Sequence, residues 1–303
     1  MTLRNLQFRL EAWLVRLCLA LLRRLGPTRA SNAAGRFARM IGPWLPVTRV
    51  GDANLRLALP ELTAPQRREI LKNVWDNLGR TVGELPYVGD LQLTQSGPGW
   101  DIQGVEILRH VTDHQGPVIL VSAHIGNWEM LPAMAAHFGI RLSSFYRAAT
   151  NPLVDTIISD LRARGLPEGV PNFPKGSTGA RAALAHLAKA GRLGMLVDQK
   201  MNDGIPAPFF GHIAMTAPAA AAFALRYNAP LVPAHTVRLG PARLRLIVEE
   251  PLPLPNTGDR QADIATLTTA INARLEHWIR DRPGEWLWLH RRWPKAAKTS
   301  ASF

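Results

Sequence analysis

The chain has 303 residues, 47% of them hydrophobic and 19% charged, a globular composition with material for a sizeable core and not a disordered or collagenous one. Thirty-six basic against 23 acidic residues leave a formal net charge of +13, which favours anionic partners: nucleic acid, anionic lipid headgroups or an acidic carrier protein. The single cysteine, Cys18, excludes an internal disulfide and CxxC metal sites, and with no HExxH or His/Cys cluster no metal is expected.

Residues 6–25 are rich in Leu but interrupted by Arg9, Glu11, Arg16, Arg23 and Arg24. No apolar stretch there reaches the ~20 residues that span a bilayer, and a secretory signal's clean apolar region and cleavage site are missing. Arg9, Arg16 and Arg23 recur every seven residues while Leu6, Leu10, Trp13, Leu17 and Leu21 recur at helical spacing. That pattern is a basic amphipathic helix with an aromatic anchor, suited either to the membrane interface or to packing on its own domain. Further helices are predicted over 30–41, closed by Gly42 and Pro43, and over 65–84, with Thr63 as a start signal. After the breaker Gly97-Pro98-Gly99, short apolar runs at 118–121, 141–146, 193–197 and 231–237 read as strands. Helices are predicted between and after them at 128–137, 152–164, 176–190, 218–227 and 264–280, and the two-residue alternation at 243–249 suggests an antiparallel strand. The alternation predicts an α/β fold: a mixed, mostly parallel sheet flanked by helices. Residues 1–99 form an N-terminal helical extension with its interfacial helix at about 6–25, and residues 100–303 the core, the two packed as one domain.

The most informative segment is Val118-Ile119-Leu120-Val121-Ser122-Ala123-His124-Ile125-Gly126-Asn127-Trp128-Glu129. His124 falls in a strand-to-helix turn at the carboxyl edge of the sheet, where open α/β sheets bind ligands. Glu129 falls in the first helical turn, where its charge suits the helix dipole. In mid-helix the two would stand about 140° apart, but from a turn the carboxylate can fold back toward the imidazole. A carboxylate on one ring nitrogen fixes the tautomer, and the other nitrogen can then take a proton from an alcohol. The competing reading is a His that caps the turn and a Glu that caps the helix. The C-terminal Trp286, Trp288 and Trp293, interleaved with His290, Arg291 and Arg292, suit a headgroup-level belt. The same mixture would suit a nucleic-acid surface, although no nucleic-acid fold motif accompanies it.

These blocks taken together resemble the lipid A biosynthesis acyltransferase family, the lauroyl and myristoyl secondary acyltransferases, over roughly residues 54–293. The resemblance is carried by the segment ending in Glu129, by Phe145-Tyr146-Arg147 followed by Asn151-Pro152, by Val197-Asp198-Gln199-Lys200, by Pro208-Phe209-Phe210-Gly211, and by residues 286–292 in that order. It implies a glycerolipid-acyltransferase-like fold and acyl transfer from acyl carrier protein to a hydroxyl of a lipid A precursor. His124 and Glu129 match the family's HxxxxD/E catalytic pair, with His124 as base and Glu129 as its orienting partner. Arg162 matches an arginine at the reaction centre, with Arg164 as the competing assignment, and Asp198 matches a supporting aspartate. The resemblance further assigns Asn127, Arg147, Arg164, Gln199, Lys200, Phe209, Phe210 and Gly211 to substrate binding, with the Phe-Phe-Gly loop expected to be exposed near the cleft as an acyl-chain wall or membrane contact, against core packing as the alternative. The implied partners are acyl carrier protein, an anionic phosphorylated glycolipid and the inner-membrane surface at its cytoplasmic face. No nucleic acid is implied, and no cofactor, since a thioester arrives activated. Transfer to a lysophospholipid or to another glycolipid or aminolipid needs the same chemistry, and a non-catalytic lipid- or nucleic-acid-binding protein is the alternative outside enzymes. Many members have a clearer N-terminal membrane helix than residues 6–25, so the attachment expected here is monotopic.

Overall fold

Four helices lead the chain: Leu3–Leu25 (α1), Pro27–Ile41 (α2), Thr48–Ala58 (α3) and Ala64–Glu84 (α4), in a computed structural model that describes residues 3–294. α2 begins on Pro27, whose fixed φ suits the first helical position, and ends in the 3-10 turn Gly42–Trp44. Thr63 and Gln66 form a capping box at the start of α4. α2 and α4 approach closely because small residues meet: a Cβ on Gly79 would stand 2.4 Å from the main-chain oxygen of Ala34. α3 is an addition to the expected helices.

The second half alternates. Gly99–Gln103 (β1), Val105–Asp113 (α5), Val118–Ser122 (β2), Leu131–His137 (α6) and Leu142–Tyr146 (β3) come first. Pro152–Ala163 (α7), Asn172–Pro174 (β4), Ser177–Leu187 (α8) and Arg192–Leu196 (β5) follow. A hairpin of Lys200–Phe209 (β6) and His212–Thr216 (β7) precedes Ala219–Tyr227 (α9), Leu231–Gly240 (β8), Arg243–Val248 (β9) and Arg260–Asp281 (α10). Seven strands form one sheet in the order β1-β9-β8-β2-β5-β3-β4, parallel throughout except for the antiparallel β8–β9 pair, while β6 and β7 pair only with each other. This is the mixed, mostly parallel α/β sheet with an N-terminal helical extension that the alternation predicts.

β2 is buried along its length and apolar over 118–121, since both of its faces are covered. Ile119 and Val121 join a core with Leu193, Met195, Leu231, the α8–α10 side chains and the C-terminal tryptophans. Val118 and Leu120 join a second core with Met134, Leu142, Val232 and Leu244. The leading helices are part of these cores and not an appendage to them. Leu55, Leu71 and Val74 enter the first, and Leu22 and Ala30 enter the second.

Candidate active site

The parallel register of β2 and β5 pairs Ser122 with Leu196. Two residues beyond each strand end stand His124 and Asp198, so the register brings them side by side at the carboxyl edge of the sheet. Asp198 is completely buried. Its Oδ1 lies 2.8 Å from His124 Nδ1, and its Oδ2 accepts from the His124 main-chain N–H at 3.0 Å and from Trp286 Nε1 at 2.8 Å. Burial pushes this carboxyl up, but the charge and hydrogen bonds of His124 outweigh it and hold the group below the ordinary carboxylate range. An ionised carboxylate only accepts, so Nδ1 donates to it, and in the neutral form of the ring the lone pair is then on Nε2. Nε2 faces Gln199, whose Nε2 is 3.4 Å away, and the imidazole remains 18% exposed. Such an arrangement can take a proton from a hydroxyl that approaches from the open side.

Glu129 does not fold back to the imidazole. Its carboxylate accepts two hydrogen bonds from Arg162, Nε to Oε2 and Nη2 to Oε1, each 2.7 Å. This fork is the geometry for which a guanidinium is preorganised, and it raises the Arg162 guanidinium above its ordinary value. Trp128, between the two charged systems in sequence, sets its ring edge-on to His124 with centroids 5.2 Å apart.

The turn carrying His124 is held from three sides. Gly126 has φ +58°, and a Cβ there would stand 2.1 Å from the Thr236 main-chain oxygen, so only glycine fits. The main-chain oxygen of Gly126 accepts from Asn77 Nδ2 at 2.8 Å. On the third side, Leu287 donates its N–H to the His124 carbonyl at 2.9 Å, and Ile125 bridges Trp286. Beneath the turn, buried Glu84 accepts from Ser31 Oγ at 2.6 Å, from Asn127 Nδ2 at 2.7 Å and from Arg238. Asn77, Thr81 and Glu84 lie one and two turns apart on α4, which makes that helix the floor of the site.

The chain matches the family described as bacterial lipid A biosynthesis acyltransferase over residues 2–295. It belongs to that family. No curated protein matches the chain. An acyltransferase of this family transfers an acyl group from a donor to a lipid acceptor, and the blocks that carried the resemblance can be placed on the fold.

His124, Asp198 and Gln199 meet at one point, with Glu129 and Arg162 forming the second pair. Glu129 as orienting partner of the imidazole is corrected: that position belongs to Asp198, which the strand register delivers in line with the ring. Of the two competing arginines, Arg162 reaches Glu129, while Arg164 is exposed at the end of α7. Arg147 and Lys200 are exposed just beyond β3 and at the start of β6, near the same sheet edge. Asn127 is corrected from substrate contact to support, since it is completely buried and its amide is taken by Glu84. Phe209 and Phe210 are likewise core residues, with Phe209 stacked on Trp293 at 5.5 Å, and Gly211 makes the exposed hairpin turn at φ +73°. The headgroup-belt reading of the C-terminal tryptophans is also corrected: Trp286, Trp288 and Trp293 are buried, and fully buried Arg292 donates to Met215 O and Thr216 Oγ1. Burial lowers that guanidinium to about 10, against the opposing charge of Asp198.

Asn77, Glu84, Arg238, Thr236 and Trp286 were not legible as site residues. No local pattern marks them, because each acts across more than 40 residues of chain. Among the described residues no group of His, Cys, Asp or Glu is placed to hold a metal ion.

Proposed function

We propose that this protein transfers a fatty acyl group from acyl carrier protein to a hydroxyl of a phosphorylated lipid A precursor, with His124 as general base. The observation that carries this reading is the His124–Asp198 hydrogen bond of 2.8 Å, which engages Nδ1 and leaves the lone pair of the neutral ring on Nε2, in a side chain that is 18% exposed. The acceptor hydroxyl gives its proton to Nε2 as its oxygen attacks the thioester carbonyl. Asp198 stabilises the imidazolium, the C–S bond breaks, and the leaving thiolate recovers the proton. Arg162 spends two N–H groups on Glu129, and its remaining donors are suited to the oxyanion of the tetrahedral intermediate. Exposed Arg147 and Lys200 at the same edge suit the phosphates of donor or acceptor, and the net positive charge suits an acidic carrier.

Attachment to the cytoplasmic face of the inner membrane through α1 is part of the proposal. No helix among the described residues is long and apolar enough to cross a membrane. Leu6, Leu10, Trp13, Leu14, Leu17 and Leu21 of α1 are 42–57% exposed in one stripe, while Ala12 and Leu22, with half-buried Val15 and Leu19, face the protein on the other side. A stripe of that kind flanked by Arg9 and Arg16 suits the interface of an anionic bilayer.

The test is acyl transfer from a series of acyl carrier protein thioesters to a deacylated lipid A precursor, comparing the wild type with His124→Ala. The reading expects activity that falls by roughly a hundredfold or more in the variant. Transfer to lysophospholipid alone would reassign the acceptor, and full activity in His124→Ala would overturn the mechanism.

A further inference from the structure

We infer that Asn151 is a positioning residue that ties the interfacial helix α1 to α7, the helix that delivers Arg162 to Glu129. The inference rests on the reading above that the Glu129–Arg162 pair serves acyl transfer, and it adds a link between that pair and the membrane-facing surface.

Asn151 is 5% exposed, and every polar atom of its side chain is used. Its Oδ1 accepts from the Leu153 N–H at 3.0 Å and so caps the start of α7. Its Nδ2 donates in the other direction, to the Phe8 main-chain oxygen and to Glu11 Oε2, both at 2.9 Å and both on α1. The Asn151 amide, with that of Gln7, holds the Glu11 carboxyl below its ordinary range. The turn before the cap is pinned as well, by the Ala149 N–H donating to Asp155 Oδ1 at 2.7 Å.

The two helices also share an apolar seam. Val154, Ile157 and Leu161 of α7 recur at helical spacing and meet Ala12, Val15 and Leu19 of α1. Arg162 directly follows Leu161, so it projects about 100° around the helix from that seam. The same short rod therefore rests one side on α1 and offers an adjacent side to Glu129. Eleven residues separate the cap from Arg162, roughly 16 Å of helix at 1.5 Å per residue. A tilt or rotation of α7 at its capped end is thus carried to the guanidinium, whose two-point fork with Glu129 tolerates little displacement. The apolar seam alone is non-directional and would permit sliding, whereas the amide fixes one register. α1 in turn has its outer face free for lipid, so the membrane-facing surface and the site are two sides of one α1–α7 layer.

The experiment compares the wild type with Asn151→Asp, with Asn151→Ser and with the double variant Asn151→Asp plus Glu11→Gln, using acceptor in vesicles of phosphatidylethanolamine and phosphatidylglycerol. Asp keeps an oxygen for the Leu153 N–H but loses both donors and sets a second carboxylate against Glu11. Ser keeps a cap without the charge, so a fold defect and a lost tether are separable. The expected result is a fall in kcat of roughly tenfold in Asn151→Asp with KM for the acyl donor unchanged, a smaller fall in Asn151→Ser, and recovery to within about threefold in the double variant, where the amide introduced by Glu11→Gln donates to the new carboxylate. Hydrogen exchange read by mass spectrometry, which needs no substrate, should quicken in the α1 and α7 peptides of Asn151→Asp and slow again in the double variant, with β2 unchanged. Wild-type kcat in a variant whose α1 exchanges fast would overturn the inference, as would a fall in kcat that Glu11→Gln does not restore. His124→Ala assayed alongside separates the two levels: activity surviving there sinks the acyl-transfer reading itself, whatever the exchange data say of the tether.

Discussion

Two regions near the ends of this chain both mix aromatic, aliphatic and arginine residues and use them in opposite ways. At the C-terminal end Trp286, Trp288, Trp293 and Arg292 are buried, and each tryptophan's indole N–H has a partner: Asp198, Pro283 O and Phe209 O. At the N-terminal end Leu6, Leu10, Trp13, Leu14, Leu17 and Leu21 of α1 stand in the open, and the partnered residues are those turned toward α7 and Tyr87. The buried strap of residues 286–293 gives Asp198 one donor, the Trp286 indole, and packs the others into the core. An exposed stripe keeps its burial energy for a partner outside the chain. Composition alone does not separate the two uses; the partners of the polar atoms do.

The comparison can be broken at either end. The largest effect is expected on the strap side, where Asp198→Asn removes the acceptor that fixes the imidazole tautomer and should lower kcat by roughly two to three orders of magnitude. The comparison variant Glu129→Gln should lower it less, because it weakens the Arg162 fork and leaves the His124 partner in place. On the stripe side, burying a whole large apolar side chain contributes about 1.5–3 kcal/mol, and Leu10, Trp13 and Leu17, 42–57% exposed, each have roughly half of that left to gain, against about 1 kcal/mol for each arginine near an anionic surface. Replacing Leu10, Trp13 and Leu17 with Ser should therefore weaken binding to anionic vesicles by roughly a hundredfold in a sedimentation assay. Thermal stability should stay within about 0.5 kcal/mol, as for other surface substitutions. High salt should release only part of the wild-type protein from those vesicles. A smaller effect is expected from Trp286→Phe, which keeps the ring and loses the Nε1 bond to Asp198: stopped assays should register a loss of about threefold to tenfold in kcat with KM unchanged.

The last effect is on stability and leaves turnover at neutral pH untouched. His235 is buried, stacked on Trp278 at 4.1 Å, and burial lowers its imidazole to about 3. The ordinary value is near 6.5, so between about 6.5 and 3 the unfolded chain binds one more proton than the folded one. This group's contribution is complete above that range and declines as pH falls through it, by at most about 1.4 kcal/mol per pH unit. Denaturant melts of the wild type and His235→Phe between pH 7 and 4 should diverge in slope by that amount.

Much of the scaffold was legible because burial leaves a local mark. The continuous apolar run of β2, the start signal at Thr63 and the amphipathic period of α1 each map onto an observed element. The β6–β7 hairpin was hidden by Pro206 and Pro208, which interrupt a strand pattern but are tolerated in a two-stranded ribbon with free edges. β4 is three residues long and has no periodicity to read. In the site, the composition of the His124 turn was readable and its pairing was not. Sequence proximity pointed to Glu129 five residues away, whereas the neighbour of β2 is β5, 74 residues on, and the register of those strands selects Asp198. The same reason concealed Asn77, Glu84 and Trp286: hydrogen bonds that cross the fold leave no spacing to find.

The central claim is that Asp198, and not Glu129, orients His124 and leaves Nε2 as the base. The most direct measurement is the nitrogen-15 NMR of the His124 ring in the neutral form, recorded for the wild type, Asp198→Asn and Glu129→Gln. The account predicts a single Nδ1–H tautomer in the wild type and in Glu129→Gln, and its loss in Asp198→Asn. An Nε2–H tautomer in the wild type, or one that changes with Glu129→Gln and is indifferent to Asp198→Asn, would contradict it.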